Sequence, residues 1–215
     1  VISTFVVSGI GMRFELVTGM SMFNAIVTFI QRPLANVLTG LPGYVLLVFM
    51  TTLLWTFGIH GTQTLKAIYE PILLAAFAEN EAAYAVGEAI PNIISTPFMS
   101  CFSTITGAGI TGGLVFAIMV FSKREDYRAI AKLAIPCAIF NINEPLIFGL
   151  PIVMNPILAI PFMIAPAVSA SFAYLMTVIG FAGRVVVNGP GTAPPVLMAF
   201  LSCGGNVGAA VTQVI

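Results

Sequence analysis

Long stretches without a charged residue constrain this chain more than any other feature. No Asp, Glu, Lys or Arg occurs in residues 33–65, 89–122 or 145–183, or after Arg184. A membrane-spanning helix needs about 20 consecutive, mostly apolar residues, and each of these segments is longer than that. The chain is 59% hydrophobic and 7% charged, whereas a soluble domain needs about a quarter charged residues to cover its surface. The sequence therefore predicts an integral membrane protein.

The remaining charges and the cysteines argue against several other classes of protein. Acids and bases balance at eight each, and no basic tract typical of nucleic-acid binding occurs. Cys101, Cys137 and Cys203 stand singly, without the Cys/His spacing of a metal site or a disulfide framework. The glycine-rich segment 106–113 lacks the GxxxxGK[ST] motif of a nucleotide site. We therefore expect no nucleic-acid partner, no metal and no cofactor.

The first half of the chain is predicted to mix one clear span with interfacial helices. Residues 1–40 are expected to contain the end of a membrane helix and then, over 13–32, a short embedded or interfacial helix. Residues 42–57 are the cleanest candidate for a spanning helix, with Pro42 at its start. Residues 66–88 hold four glutamates and are predicted to form helices and a loop at the membrane edge.

In the second half, prolines and glycines predict broken helices. Prolines recur at 151, 156, 161 and 166. Each removes a backbone donor, so we expect irregular chain there and a regular span only from Ala167 to Gly183. Residues 122–132 carry four bases, which predicts a cytoplasmic loop by the positive-inside rule. The glycine-rich segment 103–113 permits close helix packing or a re-entrant loop, and 187–195 is predicted to be loop or hairpin.

Glu144 is the strongest candidate for a functional residue. It is the only charge between Lys132 and Arg184, and it stands directly before Pro145. A charge at membrane depth is costly unless it meets water, a partner or a ligand, and broken helices of this kind expose polar groups to substrates in transporters. Asn141 and Asn143 add amide donors and acceptors that suit a ligand made of hydroxyl groups. The alternative is a structural carboxylate, protonated or paired with Arg184.

The sole histidine, His60, lies in the motif GIHG at 58–61. Its imidazole can hydrogen-bond a hydroxyl or carry a proton, and the flanking glycines allow close approach. The alternative is a packing histidine at a helix end. For Trp55 we favour an anchor at the membrane interface over a sugar-stacking role, and Arg184 is expected to reach the headgroups.

With "IFNINEPLIFGLPIVMNPILAIPF" and "WTFGIHG" together, the chain resembles a known family. It is similar to the membrane component, EIIC, of bacterial phosphoenolpyruvate-dependent sugar phosphotransferase systems, in the lactose/cellobiose/chitobiose branch. The resemblance implies a protein of the bacterial inner membrane that crosses it several times. It also implies an all-α fold with broken transmembrane helices, two re-entrant hairpins and a homodimer. Residues 41–215 would form the C-terminal transport domain, truncated at both ends relative to the family.

The resemblance also implies a function and a set of roles. Such proteins carry a β-linked disaccharide inward, and a cytoplasmic EIIB subunit bearing a phosphocysteine phosphorylates the sugar. Glu144 would be the catalytic residue. Substrate-binding residues would be His60, Gly61, Asn141, Asn143 and Glu144. The partners implied are the disaccharide, phosphorylated EIIB and membrane lipids; no activity is expected of this chain alone.

Two other functions are consistent with the residues. In a proton-coupled secondary sugar transporter, Glu144 or His60 would carry the proton. A membrane scaffold without transport activity would bind no sugar.

Overall fold

The computed structural model describes residues 2–26, 28–29 and 32–215, and over these residues the regular structure is helical. The all-α fold predicted from the sequence is confirmed, including the broken helices. The helices are α1 Ile2–Thr18, α2 Met22–Ile26, α3 Arg32–Leu38, α4 Leu41–Thr56, α5 Gly61–Ala85, α6 Thr96–Phe102, α7 Gly112–Phe121, α8 Glu125–Ile139, α9 Glu144–Gly149, α10 Pro156–Val178, α11 Leu197–Ser202 and α12 Val207–Val214.

Few of these helices are long and apolar enough to cross a bilayer unbroken. Among the described residues, α10 alone meets that standard. The helices α3 and α4 meet it together, as a broken span bent by 89°. Apolar side chains such as Ile157, Leu133 and Phe148 are largely exposed, which suits lipid contact in an integral membrane protein.

Two core clusters hold the helices together. The larger one lies where α4 packs along α10 and against α5, and its fully buried members include Tyr44, Leu73 and Phe98. The smaller one joins α7, α8 and α9 and includes Leu146, Trp55 and Phe162. The loop between α4 and α5 and the turn between α8 and α9 both border the smaller cluster, which brings His60 near Glu144.

Two glycine-rich hairpins complete the fold. In the first hairpin, α6 runs through a loop at 103–111 into α7. In the second hairpin, irregular chain at 183–196 leads into α11, and the Val186 and Val187 backbone amides donate to the Ser202 carbonyl oxygen at 2.9 and 3.0 Å. The sequence left close packing or a re-entrant loop open at 103–113 and predicted loop or hairpin at 187–195, and the resemblance implied two re-entrant hairpins.

Three details of the sequence prediction are wrong. The helix predicted over 13–32 is divided, because α1 continues through Arg13 and α2 follows a turn; Gln31 lies outside the described residues. The edge region 66–88 is mostly one helix, α5, which passes through Pro71. The basic segment is a loop only at 122–124, since α8 begins at Glu125.

The prolines of α10 also do not break the chain as predicted. Pro156 occupies the first turn, where its missing amide costs nothing, and the Asn155 side chain accepts from the Ile157 and Leu158 amides at 3.0 and 3.4 Å. The helix then continues through Pro161 and Pro166. Prolines inside spanning helices are tolerated where neighbouring groups compensate for the lost bonds.

Candidate functional site

Glu144 lies at a break between two helices, as predicted. The helix α8 ends at Ile139, the chain turns through Asn141 with a φ of 62°, and Glu144 opens α9. Glu144 is half-buried as a residue, and its Oε2 accepts a hydrogen bond from the backbone amide of Asn143 at 3.1 Å. A carboxylate in the first turn of a helix also faces the positive end of the helix dipole.

Glu144 forms no salt bridge within the described part of the chain. Arg184, the alternative partner that the sequence left open, donates instead to the carbonyl oxygens of Ile90 and Pro91, the latter at 2.9 Å. It therefore tethers the loop at 90–91, and its contact with headgroups stays a prediction. The acidic side chain is left for water or a ligand.

The two asparagines before Glu144 hold loops. Asn143 is 3% exposed, and its Nδ2 donates to the Ala108 carbonyl oxygen and, at 3.1 Å, to Thr111 Oγ1. Asn141 Oδ1 accepts from the Thr106 amide at 2.8 Å. Both amides are therefore engaged with the first hairpin, and the Nδ2 of Asn141 also reaches the second.

His60 caps the N-terminus of α5. Its Nδ1 accepts a hydrogen bond from the Gln63 amide at 3.3 Å. A neutral imidazole that accepts at Nδ1 carries its proton on Nε2, so His60 presents one N–H donor at an exposed position. The ring packs on Trp55, with ring centroids 4.2 Å apart and planes at 47°.

Trp55 is not the interfacial anchor that the sequence favours. It is 4% exposed, because its ring lies in the smaller core and packs against His60, and a buried ring cannot anchor to headgroups. Its Nε1 has no hydrogen-bond partner in the described structure. Buried indole N–H groups usually have one, so this donor is an unsatisfied polar group beside the cleft.

Gly61 lies where α5 packs closely against α4. A Cβ built on it would lie 2.7 Å from the carbonyl carbon of Thr51 and 2.9 Å from its Cα. The missing side chain thus lets α5 approach the backbone of α4. Gly61 does not border the cleft around Glu144, so a direct substrate contact by this residue stays a prediction.

A cleft of about 340 Å³ joins the other predicted residues. This volume lies within the range of about 300–1,000 Å³ that small-molecule sites occupy. His60, Asn141, Asn143 and Glu144 all line it, together with Trp55, Thr62, Gln63, Lys66, Tyr69, Glu70, Thr96, Met99, Ser100, Thr104, Gly107, Ala108 and Gly191.

Sequence reasoning missed one wall of this cleft. Lys66 and Glu70 form an ion pair at 3.3 Å on α5. Together with Gln63 they recur at helical spacing after His60, which is the signal that the sequence contained. Because 66–88 was predicted as membrane-edge helices and loop, these polar side chains were not placed with the site.

The cleft suits a neutral polar ligand. Carboxylates, amides, hydroxyls and a half-exposed lysine border it, beside the aromatic rings of Trp55 and Tyr69. Across the described residues, no group of three or more His, Cys, Asp or Glu is arranged to hold a metal ion. These side chains can form hydrogen bonds and ring contacts with a ligand, and Glu144 can accept a proton from it.

Comparison with known proteins gives the family. The family model "Phosphotransferase system, EIIC" matches residues 1–166. This chain belongs to the EIIC family of the phosphotransferase system. It is 40% identical over 156 residues to an oligo-beta-mannoside-specific EIIC component of Bacillus subtilis, covering 72% of this chain and 35% of that protein.

Further similarities cover most of this EIIC chain. A lichenan permease IIC component of Bacillus subtilis is 35% identical, over 91% of this chain and 43% of the relative. The crystal structure of the transporter ChbC, the IIC component of an N,N'-diacetylchitobiose-specific phosphotransferase system, superposes with a TM-score of 0.86 at 32% identity, over 99% of this chain and 50% of ChbC. The chain thus spans half or less of the length of these proteins.

Proposed function

We propose that this chain is the sugar-binding part of a phosphotransferase permease that takes up a β-linked disaccharide and presents it for phosphorylation. The observation that supports this most is the convergence of His60 and Glu144 on one cleft bordered by two hairpins. The relatives are named for oligo-beta-mannoside, lichenan and diacetylchitobiose, which are β-linked saccharides.

In the proposed mechanism, the carboxylate of Glu144 accepts a hydrogen bond from the hydroxyl that is to be phosphorylated. That hydroxyl oxygen attacks the phosphorus of the EIIB phosphocysteine, the S–P bond breaks, an O–P bond forms, and the hydroxyl proton passes to Glu144. General-base assistance of this kind contributes about 10²–10⁴-fold. The carboxylate suits the task because no salt bridge to another described residue engages it.

The remaining cleft residues would hold and orient the sugar. His60 would donate from Nε2 to a hydroxyl, and the ring of Trp55, which lines the cleft, would contact the sugar. Asn141, Asn143 and Gly61 stay in the proposed binding set, but they would act indirectly. The side-chain amides of Asn141 and Asn143 hold the loops of the cleft, and Gly61 lets α5 approach α4. Positioning is the larger part of phosphoryl-transfer catalysis, since the transition state is loose.

The partner would be a phosphorylated EIIB subunit on the cytoplasmic side. A relative from Lacticaseibacillus casei is named a lactose-specific EIICB component. Exposed bases at the start of α8 would form a docking site for EIIB. One of them, Arg124, donates from its guanidinium to the Asp126 carboxylate at 2.6 and 3.1 Å. That hydrogen bond holds the pKa of the Asp126 carboxyl below its usual range.

The whole protein would be a multi-pass inner-membrane homodimer with residues 41–215 as its transport domain, and enzyme activity would belong to the complex with EIIB. The test is disaccharide uptake by the full-length protein in proteoliposomes, with and without the phosphoryl-donor proteins inside. We expect uptake of sugar phosphate only when the donors are present. Uptake that needs no donor and collapses with the proton gradient would favour the secondary transporter instead.

A further inference from the structure

We propose that Asn141 is a positioning residue whose side-chain amide fastens the tips of both hairpins to the turn that carries Glu144. This inference rests on the proposed function of the cleft. It assigns Asn141 a role distinct from the direct sugar contact expected from the motif.

The first observation is that the amide of Asn141 bonds to both loops at once. Its Oδ1 accepts from the Thr106 amide at 2.8 Å, in the first hairpin. Its Nδ2 donates to the carbonyl oxygens of Gly191 and Ala193 at 2.9 and 3.2 Å, in the second hairpin. An asparagine amide has two donor hydrogens, and both are used here. Little remains for a sugar hydroxyl beyond one lone pair of Oδ1.

The second observation is the backbone of Asn141. The residue has a φ of 62°, and the backbone amides of Asn141 and Ile142 donate to carbonyl oxygens in the last turn of α8 at 3.1 and 3.0 Å. Asparagine tolerates this left-handed conformation better than most residues. One residue therefore ends α8, sets the direction of the chain toward Glu144 and fastens the two loops.

The third observation is that both fastened loops form walls of the cleft. Gly107 and Ala108 line it from the first hairpin and Gly191 from the second. Asn143 holds the first loop as well, but its hydrogen bonds do not reach the second. In the described structure, Asn141 is the side chain of the 140–144 turn that bonds to the second hairpin. Loss of the Asn141 side chain would release the second hairpin from the cleft, while the first hairpin stayed in place.

A second amide couples the hairpins on the other side. Gln213 of α12 donates from Nε2 to the Cys101 carbonyl oxygen at 2.7 Å, at the end of α6. Its Oε1 accepts from the Val196 and Ala199 amides at 2.5 and 3.4 Å, at the start of α11. Gln213 does not line the cleft, so the hairpins stay joined there when Asn141 is replaced. This makes the Asn141 variants interpretable as a local release of the loop at 191–193.

The variants are Asn141→Gly and Asn141→Asp in the full-length protein. Glycine keeps the left-handed backbone without strain and removes the side-chain bonds to Thr106, Gly191 and Ala193, together with a longer contact to the Met198 sulfur. Aspartate has the same shape and retains the bond from Thr106, but it places an oxygen opposite the Gly191 and Ala193 carbonyls. Asn36→Gly, at an exposed asparagine outside the cleft, is the control.

The primary measurement is a pair of spin-label distances in a Cys137→Ser background. Labels at Leu133 and Thr192 report on the second hairpin relative to α8, and labels at Leu133 and Phe116 report on the first; all three sites are exposed. We expect the Leu133–Thr192 distribution to broaden in both Asn141 variants. The Leu133–Phe116 distribution should stay narrow in Asn141→Asp, because Asn143 and the retained bond still hold the first loop.

The second measurement separates positioning from sugar contact. In both Asn141 variants we expect the rate of phosphoryl transfer from EIIB to fall about tenfold or more, because small misplacement of reacting groups is that costly. The dissociation constant of the sugar should stay near that of the wild type. An unchanged Leu133–Thr192 distribution in Asn141→Gly would overturn the proposal. So would a loss of sugar affinity with unchanged distances, which would make Asn141 a direct ligand. Because the distances are read without transport, a failure of the proposed function would be seen separately, as inactive wild type.

Discussion

Replacing Gly61 by alanine tests the close contact between α4 and α5, which places His60 beside Trp55. The added Cβ would lie 2.7 Å from the Thr51 carbonyl carbon and 2.9 Å from its Cα. Both are backbone atoms, so no side chain can rotate away. The two helices must separate, and the pair of rings that borders the cleft is disturbed with them.

The magnitude follows from two opposing terms. Overpacking of a well-packed contact costs about 1–3 kcal/mol. Alanine in a helix is favoured over glycine by about 0.5–1 kcal/mol, which offsets part of that cost. We therefore expect a net loss of about 1–2 kcal/mol in the free energy of unfolding. For a chain of this size, 1 kcal/mol corresponds to about 2–4 °C in Tm.

The assay is thermal unfolding in detergent, followed with a thiol-reactive dye that reports exposure of the buried cysteines Cys101 and Cys203. Gly113→Ala is the matched control, because nothing lies within 4 Å of a Cβ at that helical glycine. Its Tm should stay level or rise. If Gly61→Ala were as stable as Gly113→Ala, the packing role assigned to Gly61 would be refuted.

Three further predictions concern other parts of the molecule. His60→Asn keeps a side chain suited to the helix cap but removes the Nε2 donor. Loss of one hydrogen bond of about 1.4 kcal/mol should lower the sugar affinity, measured by calorimetry, about tenfold; an affinity equal to that of the wild type would exclude the contact. Asn80 is fully buried and bonds to the Asn92 backbone and the Val185 carbonyl at 2.9–3.0 Å; Asn80→Leu should cost about 2 kcal/mol or more of stability, and an unchanged Tm would contradict this. Arg124→Gln breaks an exposed ion pair, so Tm should not change. The affinity for EIIB should fall, most visibly at low salt; an affinity equal to that of the wild type would exclude the loop at 122–124 from the EIIB interface.

The sequence predicted the parts of the fold that depend on local chemistry. Charge-free length identified a membrane chain, and Pro145 after an isolated glutamate predicted the helix break where the structure has one. The helix predicted at 42–57 agrees with α4 within one residue at each end, although α4 has the length of a span only together with α3. In each case the signal lies within one short segment, and tertiary contacts do not override it.

The errors arose where neighbouring helices decide the outcome. Pro161 and Pro166 each remove one helix bond, yet α10 stays continuous along α4 because packing compensates for two lost bonds. The anchoring role favoured for Trp55 is wrong for a similar reason, since no local feature shows that the smaller core encloses its ring. Hydrogen bonds from Asn141 to residues about 50 positions later are equally invisible in a single sequence.

The most direct test of the whole account is the rate of sugar phosphorylation by the full-length Glu144→Gln variant with phosphorylated EIIB. Glutamine has the same shape and can still accept a hydrogen bond, but it cannot take the proton. We predict that sugar still binds and that the transfer rate falls by about 10² or more. A rate within a few-fold of wild type, in protein shown to be inserted and folded, would contradict the role given to this carboxylate.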